Sequence, residues 1–183
     1  MICWRVAALE PAARDHERGG MLWFPRQLQG EGRHDNPDLY GCLYAATEPV
    51  GAIAETLAPF RGSGRLDPSM LRKAGRPLYL GKLVLTDGAG VLDLDDPEVL
   101  VREGLRPSLV ATRSRSTTQG QAAHLYESHP EAVALRWWST IESMLCNLTI
   151  FDRGAPMLDL EECQQLSPDD PEVSLAAGLL GLI

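Results

Sequence analysis

An α+β fold in one domain is predicted by three features of this sequence. Strand-like and short helix-like runs are interspersed without a regular β-α-β rhythm, the runs over 132–138 and 147–151 lie close enough to pair as antiparallel neighbours, and a length of 183 residues suits one hydrophobic core. At that size a single domain buries roughly 70% of the surface its unfolded chain exposes, so no disulfide or structural metal is required to hold it together. The expected sheet is mixed or antiparallel, with short helices at its flanks.

Residues 2–9 read as a short strand, followed by a polar loop to Gly20. Over 21–40 apolar residues alternate with Gly, Pro, Asn and Asp, a loop-rich stretch of the kind that displays functional side chains. A compact apolar strand over 41–46 carries Tyr44. Thr47 then offers a helix N-cap and Glu48 suits the positive first turn, while Val50, Ile53, Ala54 and Leu57 recur at i, i+3, i+4 and i+7. That is one buried stripe on a helix that stops near Pro59. Glu55 lies one position past the stripe, at its edge, within reach of a cleft beside the preceding strand.

Asp67-Pro68 reads as the cap and first position of a second short helix that ends by Gly75. The clearest strand is 78–85, and Asp87 to Gly90 forms a turn before another strand over 91–94. Asp96-Pro97 opens a further short helix, and Thr117 or Thr118 is placed to cap one that runs to about His129. Strands follow over 132–138 and 147–151, and 168–180 is a terminal helix. There is no internal repeat and no low-complexity segment.

Charge narrows the function classes. The chain carries 25 acidic and 17 basic residues for a formal charge of −8, which argues against a protein that coats nucleic acid, because that affinity comes mostly from cations neutralising phosphates. Fifteen of the 17 basic residues are Arg, a planar bidentate donor suited to phosphate or carboxylate. The charge is unevenly placed: no Lys or Arg follows Arg153, and six acidic residues there leave only −2 for everything before them. The chain therefore divides at sequence level into 1–153 and an acidic C-terminal extension, 154–183, with its terminal helix. The apolar residues of that helix must be covered by the body, a second copy in a homodimer, or a partner.

No basic leader followed by an apolar run opens the sequence, and no apolar stretch approaches the roughly 20 residues that cross a bilayer, so the expected location is the cytoplasm, away from membranes. Cys3, Cys42, Cys146 and Cys163 are scattered, as thiols in a reducing compartment are, and the four histidines are dispersed, so no metal is expected. P-loop, G-x-G-x-x-G and G-x-S-x-G patterns are all missing, which removes the common nucleotide-fold and hydrolase-elbow readings. The polar run Arg113 to Gln119 reads as a solvated loop or an anion cradle.

Three ordered stretches resemble the RES-domain family. Gly32-Arg33-His34-Asp35-Asn36-Pro37 is similar to the family's G-R-[WF]-[ND]-x-P segment. Leu43-Tyr44-Ala45-Ala46, with Glu55 eleven residues after the tyrosine, resembles its L-Y-L-A and A-x-x-E pair. Trp138-Ser139-Thr140 with Asn147-Leu148 behind it resembles the late strand that ends in Ser before an Asn-led apolar strand, and Trp4-Arg5-Val6 resembles the first strand. The sequence departs from the pattern at His34, where an aromatic often follows the Arg, and at Trp138, where a small residue or Pro usually precedes the Ser.

The resemblance implies a fold related to ADP-ribosyltransferases, NAD as substrate, and a toxin held in check by an Xre-like, helix-turn-helix antitoxin, with direct DNA contact left to that partner. It also implies an active-site set of Arg33, Tyr44, Glu55 and Ser139, joined by Arg5 and by Ser116. Cleavage of the nicotinamide–ribose bond builds positive charge on the ribose, so a carboxylate is the group such a site most needs. In that scheme Glu55 stabilises the ribose, Arg33 and Arg5 grip the pyrophosphate, Tyr44 stacks on a ring or bonds a hydroxyl, and Ser139 and Ser116 donate hydrogen bonds. The acceptor is open: water makes a glycohydrolase, phosphate a phosphorylase, a protein side chain an ADP-ribosyltransferase, and a site without turnover is a nucleotide-binding module. Each residue also has a plain structural reading, with Glu55 a solvated charge, Arg33 paired to Asp35 or Asp38, Tyr44 a core aromatic and Ser139 a strand end.

Overall fold

In the computed structural model, which describes residues 1–10 and 12–183, the fold is α+β. Strand β1 (Ile2–Ala8) leads through a long loop to β2 (Cys42–Ala46) and helix α1 (Pro49–Leu57). A hairpin of β3 (Arg72–Lys73) and β4 (Arg76–Leu85) follows, then β5 (Gly90–Asp93) and three helices, α2 (Pro97–Arg102), α3 (Pro107–Val110) and α4 (Arg115–Ser128). The chain closes with β6 (Ala132–Trp138), β7 (Cys146–Phe151), β8 (Leu158–Gln165) and α5 (Pro171–Leu180).

The strands form one sheet in the order β3-β4-β1-β2-β7-β6-β5, with β8 paired to β4. All pairings are antiparallel except β5 with β6, which the three helices between them connect as a crossover. Side-chain alternation divides the core. Trp4, Val6 and Ala8 of β1 face a cluster built by α1 and α5, whereas Cys3 and Ala7 join Met21, Leu43, Ala45 and Leu148 in another. A third cluster packs α2, α3 and α4 against Leu135, Trp137 and Phe151.

The join between β1 and β2 positions the site. The two strands pair in register only at Trp4 and Ala46, then splay apart. Backbone groups on the freed edge of β2 still need partners. Gln29 supplies them, its Oε1 accepting from the Cys42 N–H at 3.0 Å and its Nε2 donating to the Cys42 carbonyl, so one side chain from the long loop replaces a neighbouring strand.

Several local expectations are corrected. The helix after β2 has Glu48 at the N-cap position, without a side-chain cap bond, and Pro49 at its first position, while Thr47 turns its hydroxyl to the Cys146 carbonyl. The helix placed after Thr117 or Thr118 starts earlier, with Ser114 as N-cap, and Thr118 is buried inside it. The turn after Asp67 is 3-10, capped as expected by the Asp67 side chain on the Ser69 N–H, but it ends at Leu71 and the chain goes straight into β3. The acidic segment holds more than a terminal helix: β8 pairs with β4 from Leu158 to Gln165, and α5 buries Val173, Ala176, Ala177 and Leu180 against the α1 side of the core. Leu182 is buried as well, while Leu175 and Leu179 stay exposed. Among the described residues no helix is long and apolar enough to cross a membrane, and no group of three or more His, Cys, Asp or Glu is arranged to hold a metal ion.

Candidate active site

The gap between β1 and β2 opens into a cavity of about 470 Å³, roofed by α1 and closed at one side by the loop around Arg33. Such a volume suits a ligand of nucleotide size. Arg5, Arg33, Tyr44, Glu55, Arg115 and Asn147 all line it.

Glu55 extends from the edge of α1, half-buried, and is held on one oxygen. Its Oε1 accepts from the Ser139 hydroxyl at 2.7 Å and from Asn147 Nδ2 at 2.7 Å. Both donors are buried and come from the β6–β7 pair, Ser139 just past the end of β6 and Asn147 in β7 opposite Trp137. Among the described residues Oε2 receives no hydrogen bond, so the carboxylate is fixed by one oxygen and presents the other. Ser139 is itself pinned, accepting from the Ile141 N–H at 3.0 Å and donating its own N–H to the Leu145 carbonyl at 2.7 Å.

Arg33 is buried, with Nη1 donating to the carbonyls of Val110 at 3.1 Å and Thr112 at 2.7 Å. Its guanidinium lies 4.8 Å from the centre of the Trp137 ring. Burial, and then the neighbouring Arg115 charge, lowers its pKa, while Glu55 acts in the opposite direction. Arg33 and Arg115 thus share the cavity with Glu55, beside the carboxylates of Glu31 and Asp35. Arg5 donates to the Met21 and Trp23 carbonyls, and burial pulls it down to about 10, so it remains charged at neutral pH.

The loop that carries Arg33 is shaped by Asp35, which pairs with neither arginine. Asp35 Oδ2 accepts from the N–H groups of Gly30 at 2.8 Å and Gly32 at 2.7 Å, and Oδ1 accepts from the Tyr44 hydroxyl at 2.7 Å. Burial works to raise the Asp35 carboxyl, and these hydrogen bonds overcome it and hold it below its ordinary value. The Tyr44 oxygen also accepts from the His34 N–H at 2.9 Å. From the other side Thr118 donates to the Arg33 carbonyl at 2.6 Å, and Gln119 donates to the carbonyls of Gly30 and Gly32 at 2.9 Å each. Glycine is required at position 32, since a Cβ there would come within 2.4 Å of Asp35 Oδ1 and 2.6 Å of the Tyr44 oxygen.

His34 turns inward. Its Nδ1 lies 2.8 Å from Thr149 Oγ1 and its ring meets Trp137 edge-on at 5.2 Å. Burial, reinforced by the Arg33 and Arg115 charges, drives its pKa down to about 3, so this imidazole is neutral and structural.

A search against protein-family models matches this chain to the RES domain over residues 2–176. The chain belongs to the RES-domain family. Among solved structures, the RES domain described here resembles a chain of the M. tuberculosis MbcT–MbcA toxin–antitoxin complex, with a TM-score of 0.64 at 20% identity over 97% of this chain and 87% of that one. No curated protein matches the sequence.

Within this RES domain, Arg5, Arg33, Tyr44 and Glu55 line one cavity, and Ser139 reaches it through Glu55. Ser116 does not: it is exposed in the first turn of α4, 3.2 Å from the Ser114 hydroxyl, because the helix starts at Arg115 and aims Arg115 at the cavity instead. Asn147 and Arg115 are the additional residues that the fold brings in. Asn147 carries a signal in the sequence, as a lone amide opening an otherwise apolar strand. Arg115 sits in the polar run 113–119, which forms the start of α4 from Arg115 on, and it lines the cavity from there.

Proposed function

We propose that this RES domain is a toxin-type enzyme that takes NAD as substrate and cleaves its nicotinamide–ribose bond, depleting NAD. The observation that carries the reading is the one-sided grip on Glu55, whose second oxygen accepts no hydrogen bond among the described residues and which lines a cavity together with Arg33, Arg115 and Arg5. A dinucleotide needs cations for its pyrophosphate and a carboxylate for the positive charge that grows on the ribose as the bond breaks, and the cavity offers both. Ser139 and Asn147 keep Glu55 pointed, so little reorganisation is left for the moment of reaction. Arg33 and Arg5 grip the pyrophosphate, and Arg115 adds a third cation at the mouth. Tyr44 acts through the loop, since its hydroxyl is occupied by Asp35 and His34. Water or phosphate is the proposed acceptor.

An antitoxin partner of the Xre-like, helix-turn-helix type is part of the proposal. It rests on membership of the family and on the likeness to a chain from a toxin–antitoxin complex. A cytoplasmic setting fits the four free thiols, of which Cys163 is exposed. Expression in a bacterial host tests the reading. Wild-type protein is expected to arrest growth and lower cellular NAD, and Glu55→Gln, which keeps both neighbouring donors near an uncharged group, to do neither. Growth arrest by the variant at equal abundance would overturn the role of Glu55.

A further inference from the structure

A second cavity, of about 740 Å³, opens directly off the first. Arg5, Val6, Pro25, Leu28 and Thr56 line both, so the two are one continuous cleft that passes over β1, and the boundary falls one residue from Glu55. The far chamber differs from the near one in charge. Arg18, Arg72, Lys73 and Arg76 surround it, and the one carboxylate in its lining, Glu10, is taken up by Arg76 at 2.6 Å. Among the described residues Arg18, Arg72 and Lys73 form no ion pair. Trp23 and Phe60 add two aromatic side chains to the same walls.

We propose that the far chamber seats the adenosine half of the dinucleotide and that its cationic rim receives a phosphate on that half, so that 2′-phosphorylated NAD, NADP, is a substrate at least as good as NAD. The inference rests on the glycosidic reading of the Glu55 site. With the reacting ribose at Glu55, a molecule of dinucleotide length leaves the near cavity, and the opening over Arg5 carries its pyrophosphate past a guanidinium. An adenine finds Trp23 and Phe60 beyond it. The charge balance then decides between the two substrates. NAD brings no further anion to the three unpaired cations, whereas NADP brings a phosphate to a rim rich in Arg, the side chain best matched to phosphate geometry. The bond that breaks is the same in both. Nicotinamide departs neutral with the electron pair of the C–N bond, the acceptor oxygen bonds to the ribose carbon and gives up its proton to solvent, and the 2′-phosphate remains on the adenosine ribose.

Steady-state nicotinamide release from NAD and from NADP, by wild-type protein and by an Arg72→Ala/Lys73→Ala variant, tests this. Both positions are exposed, so the variant leaves the core intact. The wild type is expected to use NADP with kcat/KM equal to or above that for NAD. The variant is expected to lose about tenfold or more on NADP and less than about threefold on NAD, as removal of charge-assisted phosphate contacts requires. Arg18→Ala is expected to shift the ratio the same way. A wild type that rejects NADP while consuming NAD overturns this proposal alone, as does a variant that weakens both substrates equally. Turnover of neither dinucleotide overturns the glycosidic reading and this proposal with it.

Discussion

Gly32 and Asp35 show why this loop tolerates so little change. Asp35 gathers two backbone N–H groups and the Tyr44 hydroxyl around one carboxylate, and that convergence leaves no room for a Cβ at position 32. Gly32→Ala is expected to destabilise the protein by about 1–3 kcal/mol in urea unfolding and to abolish activity through displacement of Arg33. An active, fully stable variant would show that the loop is not fixed this way. His34 sets a pH dependence. Its folded pKa of about 3 lies below the ordinary value of 6.5, so the unfolded chain takes up a proton that the native state refuses. Its contribution is fully present above pH 6.5 and falls with decreasing pH by roughly 1.4 kcal/mol per unit until the folded pKa is reached. His129, raised by Glu103 and Glu131, works in the opposite sense, so the measurement is the difference between wild type and His34→Gln. Stability of the variant is expected to fall less between pH 6.5 and 4.5, and parallel curves would contradict a buried neutral His34. The environment of Asp35 is not legible from its sequence neighbours. Beside Arg33 in sequence it looks like an ion-pair partner, yet chain direction sends the guanidinium over Trp137 and the carboxylate back onto its own loop.

The elements that the sequence announces most clearly are those with a periodic apolar face, as in β4, β6, β7 and the Ile53-Ala54-Leu57 stripe of α1. β8 carries no such periodicity, for a physical reason. As an edge strand it exposes most of its residues, and Leu-Asp-Leu-Glu-Glu-Cys-Gln-Gln carries two leucines before its run of polar side chains. Its place is set by the unpaired edge of β4, a partner more than 70 residues away. The N-caps shifted because Thr47, Thr117 and Thr118 all have cap chemistry, and tertiary bonds decide which hydroxyls remain local. The same elements make a prediction about the acidic segment. Removal of residues 154–183 strips one edge of β4 and uncovers Ile53, Ala54 and Leu57, which α5 helps to bury. A chain ending at Arg153 is expected to lack a cooperative thermal transition and to bind hydrophobic dyes. A cooperative melt near that of the full chain would show that the body stands without its tail.

At the scale of the whole molecule, the charge asymmetry has a structural counterpart. Arg5, Arg33 and Arg115 converge on a cleft between splayed strands, while the carboxylates of 159–162 lie along β8, two strands from β1, where Lys82 pairs with Glu161 and Glu162. Those three arginines share the near cavity with the carboxylates of Glu31, Asp35 and Glu55, and the excess of cations lies in the far chamber. The family motifs mark Arg33, Tyr44, Glu55 and Ser139, and the first three line the cavity while Ser139 holds the Glu55 carboxylate in place. The splay of β1 from β2 and the Gln29 patch that permits it are invisible in sequence, because they depend on where two distant strands stop pairing. The central claim is that Glu55, aimed by Ser139 and Asn147, drives cleavage of the nicotinamide–ribose bond. Its most direct test is to incubate purified protein with NAD, with and without phosphate, and to quantify free nicotinamide for wild type and Glu55→Gln. The expected result is nicotinamide release matching NAD loss in the wild type, lowered about 100-fold or more in a folded variant. Absence of release from the wild type under both conditions, or equal release from Glu55→Gln, would contradict it.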